Sequence, residues 1–223
     1  MCDINKNLEI FGKDRKSNER YASFDYCFNY FQGFKNKADI ANPVNIQNSC
    51  LQLGFYLASW GMLRGASFLL EKSVRHYSEL IKEISNFDKR IWNIDVDNYN
   101  EAENIKILIK FKERAIKTLG KNNAKTWDTL VTKIMLGIFG NVPAYDTNFK
   151  RFLKEKRICQ TFNKESLEGI ENFYKDNQRI IYDESKKICT LDFDSGEDTK
   201  RNYTKAKIID MVGFIQGQTL LKN

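Results

Sequence analysis

The basic residues are the first chemistry the chain offers, because they are gathered in one place. Its 223 residues carry 36 Lys and Arg against 29 Asp and Glu, a net of +7. The stretch from Lys106 to Arg157 holds 13 basic residues and 4 acidic ones (Glu113, Asp128, Asp146, Glu155), a net of +9. That leaves 23 basic and 25 acidic residues outside it, so the excess is a patch. A helix face with Lys106, Lys110, Arg114, Lys117 and Lys121 is followed by Lys125 and by a second cluster at Lys150, Arg151 and Lys154. Such a run suits the phosphates of a nucleic acid, DNA first. A merely solvated lysine face produces the same pattern. Charge alone gives no base preference.

Other chemistry-bearing patterns are thin. The one histidine, His76, lies in Arg75-His76-Tyr77, with no Ser–His–Asp, Cys–His or HExxH arrangement around it. Five cysteines (Cys2, Cys27, Cys50, Cys159, Cys189) stand far apart without a CxxC pair, which argues against a zinc ribbon or a disulfide framework. No metal site and no cofactor is expected. No phosphate-cradling GxGxxG or Walker loop occurs, and Gly213 and Gly217 read as a small-residue packing face.

The most informative stretch runs Thr129-Leu130-Val131-Thr132-Lys133-Ile134-Met135-Leu136-Gly137-Ile138-Phe139-Gly140-Asn141-Val142-Pro143-Ala144-Tyr145-Asp146-Thr147-Asn148-Phe149-Lys150-Arg151. A buried helix ends at Phe139-Gly140, a proline turn follows, and Asp146 caps a basic helix. Aspartate is a favoured N-cap, worth about 1 kcal/mol, and that role explains Asp146 without catalysis. The same stretch resembles the helix-hairpin-helix DNA glycosylases of the endonuclease III type. There, a buried helix ending in a Phe-Gly-like pair leads through a proline turn to an Asp-Thr pair, an apolar residue and an arginine. The resemblance implies a hydrolase of DNA repair in which a base is flipped from the duplex. It maps the catalytic carboxylate to Asp146. A lysine nucleophile, where the family has one, falls at Lys125 or, deeper in the helix, Lys133. Trp60 and Arg64, one turn apart, and Tyr145 would line the base pocket, and Lys150, Arg151 and Lys154 would hold phosphate. For Trp60, ordinary core packing is the preferred account over a place in the base pocket. The chain departs from the family at its Gly-rich hairpin, replaced here by Lys121-Asn122-Asn123-Ala124-Lys125-Thr126-Trp127-Asp128, and in lacking the iron–sulfur cysteine set. The alternative is a non-catalytic helical DNA- or RNA-binding or protein-interaction domain.

The elements that must position these residues are helical. Only Pro43 and Pro143 interrupt the chain. Helices are expected over Glu19–Phe34, from about Ile46, over Phe68–Asn86, Tyr99–Leu119, Thr126–Phe139, from Asp146 to Lys156, and over Ser166–Ile180 and Thr204–Leu221. Ile180–Tyr182 and Ile188–Phe193 read as a small β-hairpin, within 179–193, with a loop over Ser195–Arg201. Residues 1–16 read as a flexible N-terminal segment. Leu51–Leu70 is apolar enough to test as a membrane span, but Arg64 is expensive in lipid, and a core helix fits better. The expectation is a single compact all-α domain over 1–223, cytoplasmic, not membrane-bound, of undetermined oligomeric state.

Overall fold

The computed structural model describes residues 3–101, 103–120 and 127–221. Lys121 and Lys125 lie outside the described residues. Helices dominate, with one two-stranded sheet: α1 (Ile4–Lys13), α2 (Ala22–Gly33), α3 (Ile46–Ser59), α4 (Ser78–Asn86), α5 (Asn104–Leu119), α6 (Trp127–Phe139), α7 (Thr147–Glu155), α8 (Lys164–Asp176), α9 (Gln178–Lys187), β1 (Cys189–Leu191), β2 (Asp198–Asn202) and α10 (Lys205–Thr219). The all-α expectation with a small hairpin holds.

α6 is the centre because its sequence is apolar on nearly every side. Every residue from Leu130 to Phe139 is buried, and each large aliphatic side chain removed from water contributes ~1.5–3 kcal/mol. α2, α3 and α5 pack against it. A second group forms around α10, which packs on α7, α1 and α9. Thr204 joins the two groups: its hydroxyl donates to the Gly140 carbonyl at 2.6 Å and accepts from Lys207 N at 3.2 Å. Asp95, far away in sequence, also caps α10, accepting from Lys205 N and Ala206 N at 2.9 Å each. Carboxylates at a helix start satisfy free N–H groups and complement the dipole.

Several boundaries differ from the sequence expectation. Residues 3–13 form an ordered helix with its cap, not a flexible segment: Asp3 caps α1, and Ile4, Leu8 and Phe11 are buried. The spacing of these three places them on one helical face, which α10 covers. Arg15, just beyond α1, pairs with the buried Asp25 at 3.1 Å and donates to the Cys189 carbonyl, so the N-terminal chain is tied to both α2 and the hairpin. Ile180–Tyr182 is helix rather than strand, within α9, where Ile181 is buried. Its β-branched residues are overruled by packing against α10. The hairpin falls later, with β1 antiparallel to β2, so part of the expected loop is strand. Phe68–Asn86 is not one helix but two 3-10 turns, Phe68–Glu71 and Val74–Tyr77, before α4. α5 begins at Asn104 rather than Tyr99. α3 ends at Ser59, and among the described residues no helix is long and apolar enough to cross a membrane.

α10 approaches the start of α7 closely. A Cβ placed on Gly217 would sit 1.9 Å from the Asn148 carbonyl oxygen, and one on Gly213 would sit 2.5 Å from the Phe149 ring. Backbone cannot yield as a flexible side chain can. Gly217→Ala is therefore expected to destabilise the fold by at least about 1–3 kcal/mol, the usual cost of overpacking. Urea unfolding checks this, and an unchanged midpoint would refute the close approach.

Candidate functional site

The Asp146 segment is clamped from three directions before it reaches α7. On α6, Thr129 Oγ1 donates to the Tyr145 carbonyl at 2.8 Å and Thr132 Oγ1 accepts from Tyr145 N at 2.9 Å. On α10, Asp210 Oδ1 accepts from Ala144 N at 3.0 Å. The Tyr145 ring is fully buried, and its hydroxyl shares a 2.7 Å hydrogen bond with Ser166 Oγ. The polar positions of α6 thus fall on the face that receives this turn.

Held in this way, Asp146 caps α7. Its Oδ1 accepts from Asn148 N at 2.9 Å and Phe149 N at 3.0 Å. Among the described residues Oδ2 receives no hydrogen bond. Burial is the largest influence on the carboxyl and raises its pKa above the ordinary 3.8; the Lys133 charge and the two amides pull the other way. Lys133 is buried on α6, and its Nζ donates to the Trp60 carbonyl at 2.6 Å. Burial lowers its pKa, opposed by Asp146 and Asp210 and assisted by Arg64 and Arg20. Each group is thus pushed toward its neutral form, which makes the carboxyl a better proton acceptor and the amine easier to deprotonate.

Both groups open onto a cavity of about 990 Å³ between α3, α6, α7 and α10. Trp60, Arg64, Thr129, Asn148 and Arg151 also line it, with Arg20, Phe68, Phe214 and Gln218. Trp60 ends α3 and Gly61, at φ +77°, turns the chain so that Met62 N reaches the Leu57 carbonyl at 2.8 Å. That left-handed cap throws Arg64 toward the cavity, with its guanidinium over Gly61.

The floor of the site rests on a buried ion pair that the sequence reading did not single out. Lys207 Nζ lies 2.9 Å from Asp210 Oδ2, and both side chains are almost wholly buried. The ammonium also sits 4.4 Å from the centres of the Trp60 and Phe24 rings and 5.1 Å from that of Phe11. Trp60 Nε1 donates to Ser23 Oγ at 3.1 Å. Trp60 is therefore both core and cavity wall. Two opposite charges three residues apart, flanking Ile208-Ile209 and followed by Met211-Val212, were the available signal for the pair.

The sequence candidates divide cleanly. Asp146, Lys133, Trp60, Arg64 and Arg151 come together on the cavity. Tyr145 does not line it, because its ring is committed to the core beside Phe149 and Phe162. Lys106, Lys110, Arg114 and Lys117 on α5, and Lys150 and Lys154 on α7, lie outside it. Lys106 is paired with Glu103 at 2.9 Å and Arg114 with Glu83 at 3.8 Å. Arg20, Asn148 and Gln218 are additions. No protein-family model, curated protein or solved structure matches the chain.

Two outcomes test this construction. Lys207→Met leaves Asp210 buried without its partner, and a loss of about 3–5 kcal/mol is expected by urea unfolding; a loss under about 1 kcal/mol would mean that the pair is dispensable. For Asp146 the direction is different. Its raised folded pKa means that the stability it contributes is complete below 3.8 and lost as pH rises through the folded value. Asp146→Asn keeps a good cap and removes that penalty, so at pH 7 it should match or exceed the wild-type melting temperature, with the difference closing in acid. Asp146→Ala should instead lose about 1 kcal/mol.

Proposed function

We propose that the protein is a DNA-glycosylase-like hydrolase that cleaves the N-glycosidic bond of a damaged or modified base, in DNA first. One observation carries this reading: five residues picked from the sequence, Asp146, Lys133, Trp60, Arg64 and Arg151, line a single cavity. The resemblance over Thr129–Arg151 supplies the reaction class. In the reaction, the bond between the base nitrogen and C1′ of the sugar breaks, and the base leaves with the bonding electrons. Water adds at C1′ and yields a hydroxyl there, while its proton ends on the departing base or in solvent.

The roles follow from the local chemistry. Oδ1 of Asp146 is fixed by two backbone amides, while Oδ2 is unbonded and available to positive charge developing on the sugar or to a proton from water. Lys133 holds the Trp60 carbonyl and places an ammonium beside that carboxylate, favouring its ionised form. Trp60 and Phe68 supply apolar walls for a planar base. Arg64 and Arg151 supply cations for phosphate. The lysines of α5 and α7 without an ion pair among the described residues give a sequence-independent contribution to nucleic-acid affinity. The observation favouring the alternative, a non-catalytic binding domain, is that Asp146 is fully accounted for as a cap.

A panel of duplex and single-stranded oligonucleotides carrying uracil, alkylated, oxidised or hypermodified bases decides between them. Base release, read by alkaline strand scission, is expected from the wild type and not from Asp146→Asn, which should still bind. The rate should climb with pH through a value above 3.8, since the carboxyl must lose its proton to act. Salt-sensitive binding without release across the panel would leave the binding reading alone. Absence of binding at low salt would end both.

A further inference from the structure

Three guanidiniums border the cavity, and among the described residues none is ion-paired. Arg20 precedes α2, Arg64 stands on the turn after α3, and Arg151 is on α7. Their contacts are otherwise: Arg20 lies 4.9 Å from the Tyr21 ring centre, Arg64 lies over Gly61, and Arg151 donates to Asn148 Oδ1 at 2.8 Å. Some cations outside the cavity do have acidic partners, as at Lys106–Glu103, Lys112–Asp128 and Arg114–Glu83. Arg20 and Arg64 are exposed and Arg151 half-buried, whereas Lys133 is buried. The arginines therefore form the rim and Lys133 part of the floor.

The rim thus carries three guanidinium groups. Asp146 is the one carboxylate among the residues lining the cavity, and it already faces Lys133. An arriving anion would relieve the excess, and guanidinium forks match phosphate oxygens in pairs. The cavity, at about 990 Å³, is at the upper end of small-ligand sites, which run to roughly 1,000 Å³. It has room for base, sugar and phosphate together.

We infer that the cavity selects a phosphorylated nucleoside, with Arg20, Arg64 and Arg151 holding its phosphate ester at the rim while the sugar and base reach Asp146, Lys133 and Trp60. This deepens the proposed reading of the cavity as a nucleotide site and rests on it. A free nucleoside 5′-monophosphate and a nucleotide within a strand offer the same chemistry.

The test uses Asp146→Asn, in which the bond is not cleaved, alongside the wild type at ionic strength held constant with sodium chloride. Calorimetry compares a nucleoside 5′-monophosphate, the matching nucleoside, inorganic phosphate and a short single-stranded oligonucleotide. The monophosphate should bind on the order of tenfold more tightly than the nucleoside, and Arg64→Gln or Arg151→Gln should each weaken it by about that factor. Exposed Arg20→Gln should act in the same direction and guards against a variant that fails to fold; Lys164→Gln should change nothing. Inorganic phosphate should compete with the monophosphate. Tighter binding of the oligonucleotide than of the monophosphate identifies a strand as the source, and the reverse order identifies a free nucleotide; both uphold the phosphate site. Equal affinity for nucleoside and monophosphate, or binding undiminished in all three arginine variants, overturns it. Base release separates the two readings. Phosphate-dependent binding without release ends the hydrolytic reading and keeps this one, and release without phosphate dependence does the opposite.

Discussion

The buried contact between Lys207 and Asp210 is the constraint on which the rest of the site depends. Removing an ammonium and a carboxylate from water costs several kcal/mol per ion, and their mutual attraction offsets that cost only when geometry and further hydrogen bonds are good. Here the 2.9 Å pair is supplemented on one side by three aromatic rings facing the ammonium, and on the other by the Ala144 N–H donated to Asp210. The same two side chains therefore fix α1 through Phe11, α2 through Phe24, the end of α3 through Trp60, and the chain two residues before Asp146. A well-packed apolar pair could fill this space, but it could not hold the Ala144 amide.

The second constraint is distance. α10 approaches α7 closely enough that a single Cβ at Gly217 would meet backbone, so the start of α7 cannot drift away from the Lys207–Asp210 pair. On the opposite side Thr129 and Thr132 grip the Tyr145 backbone, while its ring is buried and hydrogen-bonded to Ser166. Asp146 emerges from this grip with little freedom of its own. Its cap bonds and its place on the cavity are consequences of one turn held from both faces, which explains why structural and chemical roles coincide in a single residue.

Much of this was legible in the sequence, for identifiable reasons. α6 was readable because its apolar residues run round the whole helix, and the α7 cap because an aspartate follows a proline turn. The Gly213 and Gly217 packing face was readable because two glycines four apart in a helix leave room for little else. What escaped depended on contacts distant in sequence. α1 looked like a polar tail because its buried apolar residues, Ile4, Leu8 and Phe11, stand among polar and charged neighbours, and the surface they need is on α10. α9 looked like a strand because Ile180 and Ile181 are β-branched, a local preference that packing reversed. Tyr145 looked like a pocket residue because it adjoins Asp146, yet its side chain points into the core. Arg20 carried no local signal; it reaches the cavity only because α2 and α3 lie side by side.

The electrostatics of the cavity give the basic patch a narrower meaning than charge counting did. A net excess spread over α5 would act at long range and be screened within roughly 10 Å at ordinary salt. On α5, Lys106 and Arg114 already have acidic partners, so that face contributes less than its composition suggests. At the cavity, Arg20, Arg64 and Arg151 have no ion-pair partner among the described residues and border Asp146 and Lys133, which are partly or wholly removed from water. Only the floor, Lys133 and Asp146, lies in a poorer dielectric, where a charge is worth more than on the surface. Burial raises the proton affinity of Asp146, and Lys133 limits that rise. Burial lowers the proton affinity of Lys133, and Asp146 limits that fall. Each group thus limits, without reversing, the drift of the other toward its neutral form. An anion drawn to Arg20, Arg64 and Arg151 would enter this balance with a definite sign. By neutralising the rim it would raise the proton affinity of both groups, so that occupancy of the cavity and the protonation of its floor are coupled.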